Sequence, residues 1–171
     1  MSENTIAFDL DSVLADVIIT WVDEYNKRNN TKYKKENITE WEIPNIIPIT
    51  EEKCKMLFTF VWTTEEGLAG TLKKIENKGY NILLLTKRDK NTIEYVIKWL
   101  ELHDIIFDGI SFIHNKISKH VYPFDVLIDD YPMNLIGIKK PKKGILFSQP
   151  WNHKFNWKYR INKLSELEKI I

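Results

Sequence analysis

The chain has 171 residues, 43% of them hydrophobic and 29% charged, with 25 Lys+Arg against 24 Asp+Glu for a formal net charge of +1. That length suits one domain of ordinary size, or a core with a modest insertion, and the hydrophobic share excludes a disordered chain. Near-neutral charge argues against a nucleic-acid binder that works by a bulk basic field, and a single cysteine, Cys54, excludes an internal disulfide framework or a multi-Cys zinc site.

The first element in the chain is a short β-rich run, Thr5–Phe8. Further runs follow at Asn81–Leu85, Gly109–Ile113, Phe124–Ile128 and Gly144–Phe147. Unbroken apolar runs of this kind suit strands buried on both faces, as in a parallel sheet. Helix-period segments lie between them. One is expected from about Leu14 to Arg28. Another, Glu65–Lys78, sets Leu68, Leu72 and Ile75 on one face, with Gly79 as its stop. A third, Asn91–Leu102, repeats Ile93, Val96, Ile97 and Leu100, with Asp89 as N-cap. A short helix is expected from Leu164 onward. Strands alternating with helices imply βαβ units.

Residues 29–64 break the alternation, with two prolines, polar clusters and a possible helix over Glu51–Phe60. Together with the preceding helix they read as a small helical insertion. The expected division is an α/β core from residues 1–13 and 65–171 and a helical cap over 14–64. No apolar run approaches the ~18–20 residues that span a bilayer. The start, MSENTIAFDLD, lacks the layout of a signal peptide, so a cytoplasmic protein is expected.

In an open α/β sheet, ligands bind beyond the carboxyl ends of the strands. The first strand runs into Asp9-Leu10-Asp11-Ser12-Val13, the fourth into Asp129-Asp130, and the second into Thr86-Lys87-Arg88. Alone, an Asp-x-Asp after a strand is most often a turn or a helix cap. If the three strands are neighbours, four carboxylates, a hydroxyl and cations converge on one rim. Carboxylates so crowded raise one another's pKa unless a cation neutralises them. Hard oxygen donors select Mg²⁺, so the pattern points to a magnesium centre that accepts a phosphate.

The string Asp9-Leu10-Asp11-Ser12-Val13 resembles the first motif, DxDx(V/T), of the haloacid dehalogenase superfamily of phosphatases. Thr86 resembles its second motif, Lys119 its third and Asp129-Asp130 its fourth. The longer strings AFDLDSVLAD, LLLTKR, DVLIDDYPMN and QPWN resemble the 5'-nucleotidase branch, specifically the 5'(3')-deoxyribonucleotidases. Two departures stand out: Ser12 where relatives commonly have Gly, and Lys87-Arg88 after the threonine. The resemblance implies a Rossmann-like three-layer α/β core with a parallel sheet and a small helical cap inserted after the first strand. It implies catalysis by Asp9 as nucleophile, through an aspartyl-phosphate, and by Asp11 as general acid and base. Thr86 and Lys119 would bind the phosphate. Mg²⁺ would be held by Asp9, the Asp11 backbone carbonyl and Asp129, with Asp130 behind them. The implied substrate is a small phosphorylated molecule, a nucleoside 5'-monophosphate foremost.

Other readings remain open: a sugar phosphate or a nucleic-acid phosphate end as substrate, or a module that only binds nucleotide or nucleic acid. The basic, aromatic stretch Lys139–Arg160 is the one segment that could favour nucleic acid, but it reads more simply as a solvated loop, a buried strand Gly144–Phe147, and a loop that packs near the active-site rim. Trp41, Trp62 and Trp99 are expected in packing roles. Trp21 and Phe60 lie in the insertion, where the family places the part of the pocket that meets the nucleoside. His103, His114, His120 and His153 show no ligand spacing.

Overall fold

The computed structural model describes residues 4–40 and 58–171. Its centre is a six-stranded parallel sheet in the order β3-β2-β1-β4-β5-β6. The strands are β1 (Thr5–Phe8), β2 (Asn81–Thr86), β3 (Gly109–Phe112), β4 (Val126–Asp129), β5 (Lys143–Phe147) and β6 (Arg160–Ile161). Among the described residues, the α-helices include α1 (Val17–Asn29), α2 (Leu68–Asn77), α3 (Ile93–Leu102) and the single turn α4 (Pro132–Leu135). The parallel α/β fold read from the sequence is therefore present. β1 lies between β2 and β4, in register Phe8↔Leu84 and Phe8↔Ile128. The three strands that end in Asp9, Thr86 and Asp129 are thus side by side, and their carboxyl ends open on one rim.

The middle of the sheet is buried because β1, β2 and β4 are apolar on both faces, whereas the edge strand β3 is only partly covered. Ile6, Phe8, Ile82 and Leu84 contribute to one core cluster, and Ala7, Leu85, Leu127 and Leu146 to a second. α2 buries Leu68, Leu72 and Ile75, as its spacing demands, and stops at Gly79, whose φ of +87° is one that glycine adopts without a Cβ clash.

The structure departs from the sequence reading at several elements. β4 and its terminal Asp129 lie one to two residues later than the apolar run suggested. The short strand β6 went unread, because two residues carry no periodicity. In α3 the buried face is Val96, Trp99 and Leu100, while Ile93 and Ile97 are exposed. A large indole at Trp99 takes the inward position, donating its Nε1–H to the Val61 carbonyl at 2.7 Å. Asp89 does cap, but it caps the 3₁₀ turn Lys90–Thr92 that leads into α3, accepting from the Asn91 amide at 2.8 Å. The C-terminal helix is 3₁₀ over Leu164–Lys169. Trp62, expected to pack, is 72% exposed. The readings placed on Trp41, on Cys54 and on most of Glu51–Phe60 lie outside the described residues.

The two ends of the 14–64 excursion are tied together. Thr64 donates its amide to the Leu14 carbonyl at 2.9 Å, Asp16 donates to Trp62 at 2.8 Å, and Ala15 and Thr63 form an antiparallel bridge. The chain leaves the sheet after β1 and returns to the same place before α2. Among the described residues no helix is long and apolar enough to cross a membrane.

Candidate active site

Asp9 follows β1 directly, and its amide donates to the Ile128 carbonyl of β4 at 2.9 Å, which locks the two strand ends together. The backbone then turns sharply. Ser12 sits at φ +63°, with its amide on the Ala15 carbonyl at 2.8 Å. This left-handed geometry is one that glycine adopts freely, whereas a Cβ at such a φ costs about 1 kcal/mol. The turn points the side chains of Asp9 and Asp11 towards the rim.

Lys119 lies in the 3₁₀ turn Lys119–Val121 ahead of β4 and is 1% exposed. Its Nζ donates to Asp9 Oδ1 at 2.6 Å and to Asp129 Oδ2 at 2.7 Å. Burial works against its charge, but Asp129 and Asp9 more than offset that and raise its pKa. Asp129, the last residue of β4, is fixed further by the Tyr131 amide at 2.8 Å and by the Asn134 amide group at 3.0 and 3.2 Å. Asp130, fully buried, accepts from Trp151 Nε1 at 2.9 Å on Oδ2, while its Oδ1 has no hydrogen-bond partner.

One carboxylate oxygen from each of Asp9, Asp129 and Asp130 can be chosen so that all three lie within 4.8 Å of one another. One ammonium does not neutralise three buried carboxylates. Burial pushes the Asp9 carboxyl up to about 7; Lys119 opposes this, while Asp129 and Asp11 add to it. Burial, then Asp129 and Asp9, also drives Asp130 well above the ordinary carboxylate range. An all-oxygen, charge-deficient cluster with an orphaned carboxylate oxygen fits a hard divalent cation.

Asp11 stands apart from that cluster. Arg88 Nε lies 2.8 and 3.0 Å from its two carboxylate oxygens, and the Arg88 Nη2 also donates to Oδ1. The Arg88 guanidinium is stacked 3.8 Å from the Phe58 ring centroid. Thr86 is completely buried, and its Oγ1 accepts from the Arg88 amide at 3.2 Å. Between Thr86 and α3 the 3₁₀ turn Lys90–Thr92 intervenes. Asp9, Asp11, Lys87, Arg88, Lys119, Tyr131 and Asn134 line a cavity of about 470 Å³. Burial, then Lys119, lowers the Lys87 pKa.

The structure thus brings Asp9, Lys119, Asp129 and Asp130 into one cluster, with Asp11 and Thr86 beside it. It also shows partners that residue-by-residue reading passed over. Asn134 braces Asp129, and Arg88 engages Asp11. From the Gln149–Asn152 turn, Gln149 Nε2 reaches the Ser12 carbonyl at 2.6 Å, Trp151 holds Asp130, and Asn152 Nδ2 reaches the Asp130 carbonyl at 2.7 Å. The strings DDYPMN and QPWN already held these residues, but only the fold shows that the second braces the first. None of the four histidines belongs to the acidic cluster.

Comparison with known proteins agrees with this geometry. The chain is 27% identical over 166 residues to a 5'(3')-deoxyribonucleotidase of Clostridium acetobutylicum, covering 91% of this chain and 88% of the relative. It is 24% identical over 175 residues to the Bacillus subtilis enzyme of the same name, covering 98% of each. Among solved structures, a haloacid dehalogenase-like hydrolase from Streptococcus pneumoniae shares the fold at 15% identity, with a TM-score of 0.62 over 99% of both chains. A HAD phosphatase from Thermococcus onnurineus does so at 14% identity, with a TM-score of 0.61 over 98% of this chain and 97% of that one. The family described as 5' nucleotidase, deoxy (pyrimidine), cytosolic type C protein matches residues 3–171, and the chain belongs to it, a haloacid dehalogenase-type phosphatase of the 5'-nucleotidase branch.

Proposed function

We propose that this phosphatase hydrolyses nucleoside 5'-monophosphates, deoxyribonucleotides foremost, through an aspartyl-phosphate on Asp9 and with Mg²⁺. The observation that carries the reading is the Asp9–Asp129–Asp130 cluster with Lys119 inserted between two of its members. The names of the nucleotidase relatives support the substrate class.

Asp9, Asp129 and the Asp11 carbonyl would hold the ion, and Asp130, which offers a carboxylate oxygen within 4.8 Å of theirs and whose Oδ1 has no hydrogen-bond partner, would serve it directly or through water. When bound, Mg²⁺ supplies positive charge that offsets the phosphate oxygens and the crowded carboxylates. The remaining chemistry belongs to the chain. An Asp9 carboxylate oxygen attacks phosphorus, and the bond from phosphorus to the leaving alcohol breaks. Lys119 and the Thr86 hydroxyl steady the phosphoryl oxygens. Asp11 gives the leaving oxygen a proton, then takes one from the water that cleaves the acyl-phosphate, releasing inorganic phosphate and restoring Asp9. The ion pair with Arg88 is made by the Asp11 carboxylate, so Asp11 exchanges Arg88 for a proton before it acts as an acid.

Residues 14–64 serve as a small cap over this site. The closed seam at residues 14–16 and 62–64 supports that division, because it brings the two ends of the excursion together beside the loop that follows β1. The test is a panel of deoxyribonucleoside and ribonucleoside 5'-monophosphates and sugar phosphates, assayed for phosphate release with Mg²⁺ and with EDTA. The reading requires metal-dependent release, fastest from the deoxyribonucleotides. Faster turnover of sugar phosphates would overturn the substrate class, and undiminished release in EDTA would overturn the metal.

A further inference from the structure

Beside the catalytic cavity lies a second groove of about 520 Å³, on the β3 side of the rim. Thr86 and Phe112 are register partners at the ends of β2 and β3, so the loops that follow run next to each other and form its floor. Lys87, Arg88, Lys90, Phe112, His114 and Tyr122 are among its walls. Lys87, Arg88 and Asn115 line both cavities, so the two are continuous.

The charges in this groove are unevenly used. Arg88 is committed to Asp11, and Asp89, the one carboxylate among the described residues of the groove, accepts from the Asn91 amide on Oδ1. Lys87 and Lys90 have no ion pair among the described residues. Lys87 stands at the junction, within electrostatic range of Asp9 and Lys119 on one side and open to the groove on the other. The steps set out for hydrolysis of a simple monophosphate use Arg88, through Asp11, but not Lys87.

We infer that this groove binds a second phosphate carried by the leaving group, so that a nucleoside 3',5'-bisphosphate is a better substrate than the corresponding 5'-monophosphate. The inference rests on the phosphomonoesterase reading above. One phosphate occupies the catalytic cavity. Its ester bond breaks, water supplies a hydroxyl to phosphorus and a proton to the released alcohol oxygen, and the other phosphate stays on the nucleoside. Lys87 and Lys90 meet that retained phosphate with charge-assisted hydrogen bonds. Such contacts at a partly exposed site favour the bisphosphate by about fivefold or more and weaken as salt rises.

The test compares kcat/KM for a deoxyribonucleoside 3',5'-bisphosphate and its 5'-monophosphate, at low and high salt, in the wild type and in Lys87→Ala and Lys90→Ala. The ratio is internal to each protein sample, so a partly folded variant does not distort it. The wild-type ratio should be about fivefold or more at low salt, should fall in high salt, and should drop towards one in both variants. A wild-type ratio near one, or a ratio that survives both substitutions, overturns the inference while leaving the monophosphatase intact. If neither compound releases phosphate, it is the phosphomonoesterase reading that fails.

Discussion

Lys119 shows how much a single residue does here, because its ammonium is buried between Asp9 and Asp129 with almost no contact with water. Removing one partner of a buried ionic group leaves the others uncompensated, at a cost of about 3–5 kcal/mol. Lys119→Met should lose stability of that order in urea unfolding without metal, and should recover part of it when Mg²⁺ is added; no loss would mean that the cluster does not depend on this charge. Ser12 makes a smaller point. Its φ of +63° tolerates Gly but not a β-branched side chain. Ser12→Val should therefore cost at least about 1 kcal/mol, whereas Ser12→Gly should not, as read from their unfolding midpoints. Sequence inspection flagged the departure from glycine at this position, and the structure supplies its backbone reason. The pairing of Asp11 with Arg88 was not legible, since 77 positions separate the two residues and no local pattern links them.

At the scale of elements, legibility followed the strength of the pattern. β1 matched the apolar run residue for residue, and α2 buried the three residues its spacing selects. α3 was read half correctly: Val96 and Leu100 are buried, but Trp99 takes the place of Ile93 and Ile97, because burying its large indole against Val61 removes more apolar surface and satisfies its N–H. The Gln149–Asn152 turn was legible as a loop near the rim but not in its contacts, which are among the most consequential, since it joins the loops after β1 and β4 through Gln149, Trp151 and Asn152. Leu72, 2% exposed in the middle of α2, tests the ordinary packing that underlies these connections. Leu72→Ala should cost about 2–5 kcal/mol in a denaturant melt, and a cost below that range would show that α2 contributes little to the core.

The whole molecule is nearly neutral, yet its charge is segregated: buried acids gather at the rim and lysines lie around them. This arrangement makes stability depend on pH. In the metal-free protein the Asp9 carboxyl stays protonated up to about 7, whereas the unfolded chain loses that proton near 3.8. Between those values the native state holds more protons than the unfolded state, so stability falls as pH rises. Asp130 acts in the same direction. Thermal melts without metal should show Tm decreasing through this window, and Mg²⁺ should raise Tm more at pH 8 than at pH 5; a metal-induced shift that is equal at the two pH values would contradict the cluster's role. The central claim, that Asp9 attacks phosphorus, is tested most directly by steady-state release of phosphate from a deoxyribonucleoside 5'-monophosphate by the folded Asp9→Asn protein. The account predicts a fall of about 10³-fold or more relative to wild type, and turnover within a few-fold of wild type would contradict it.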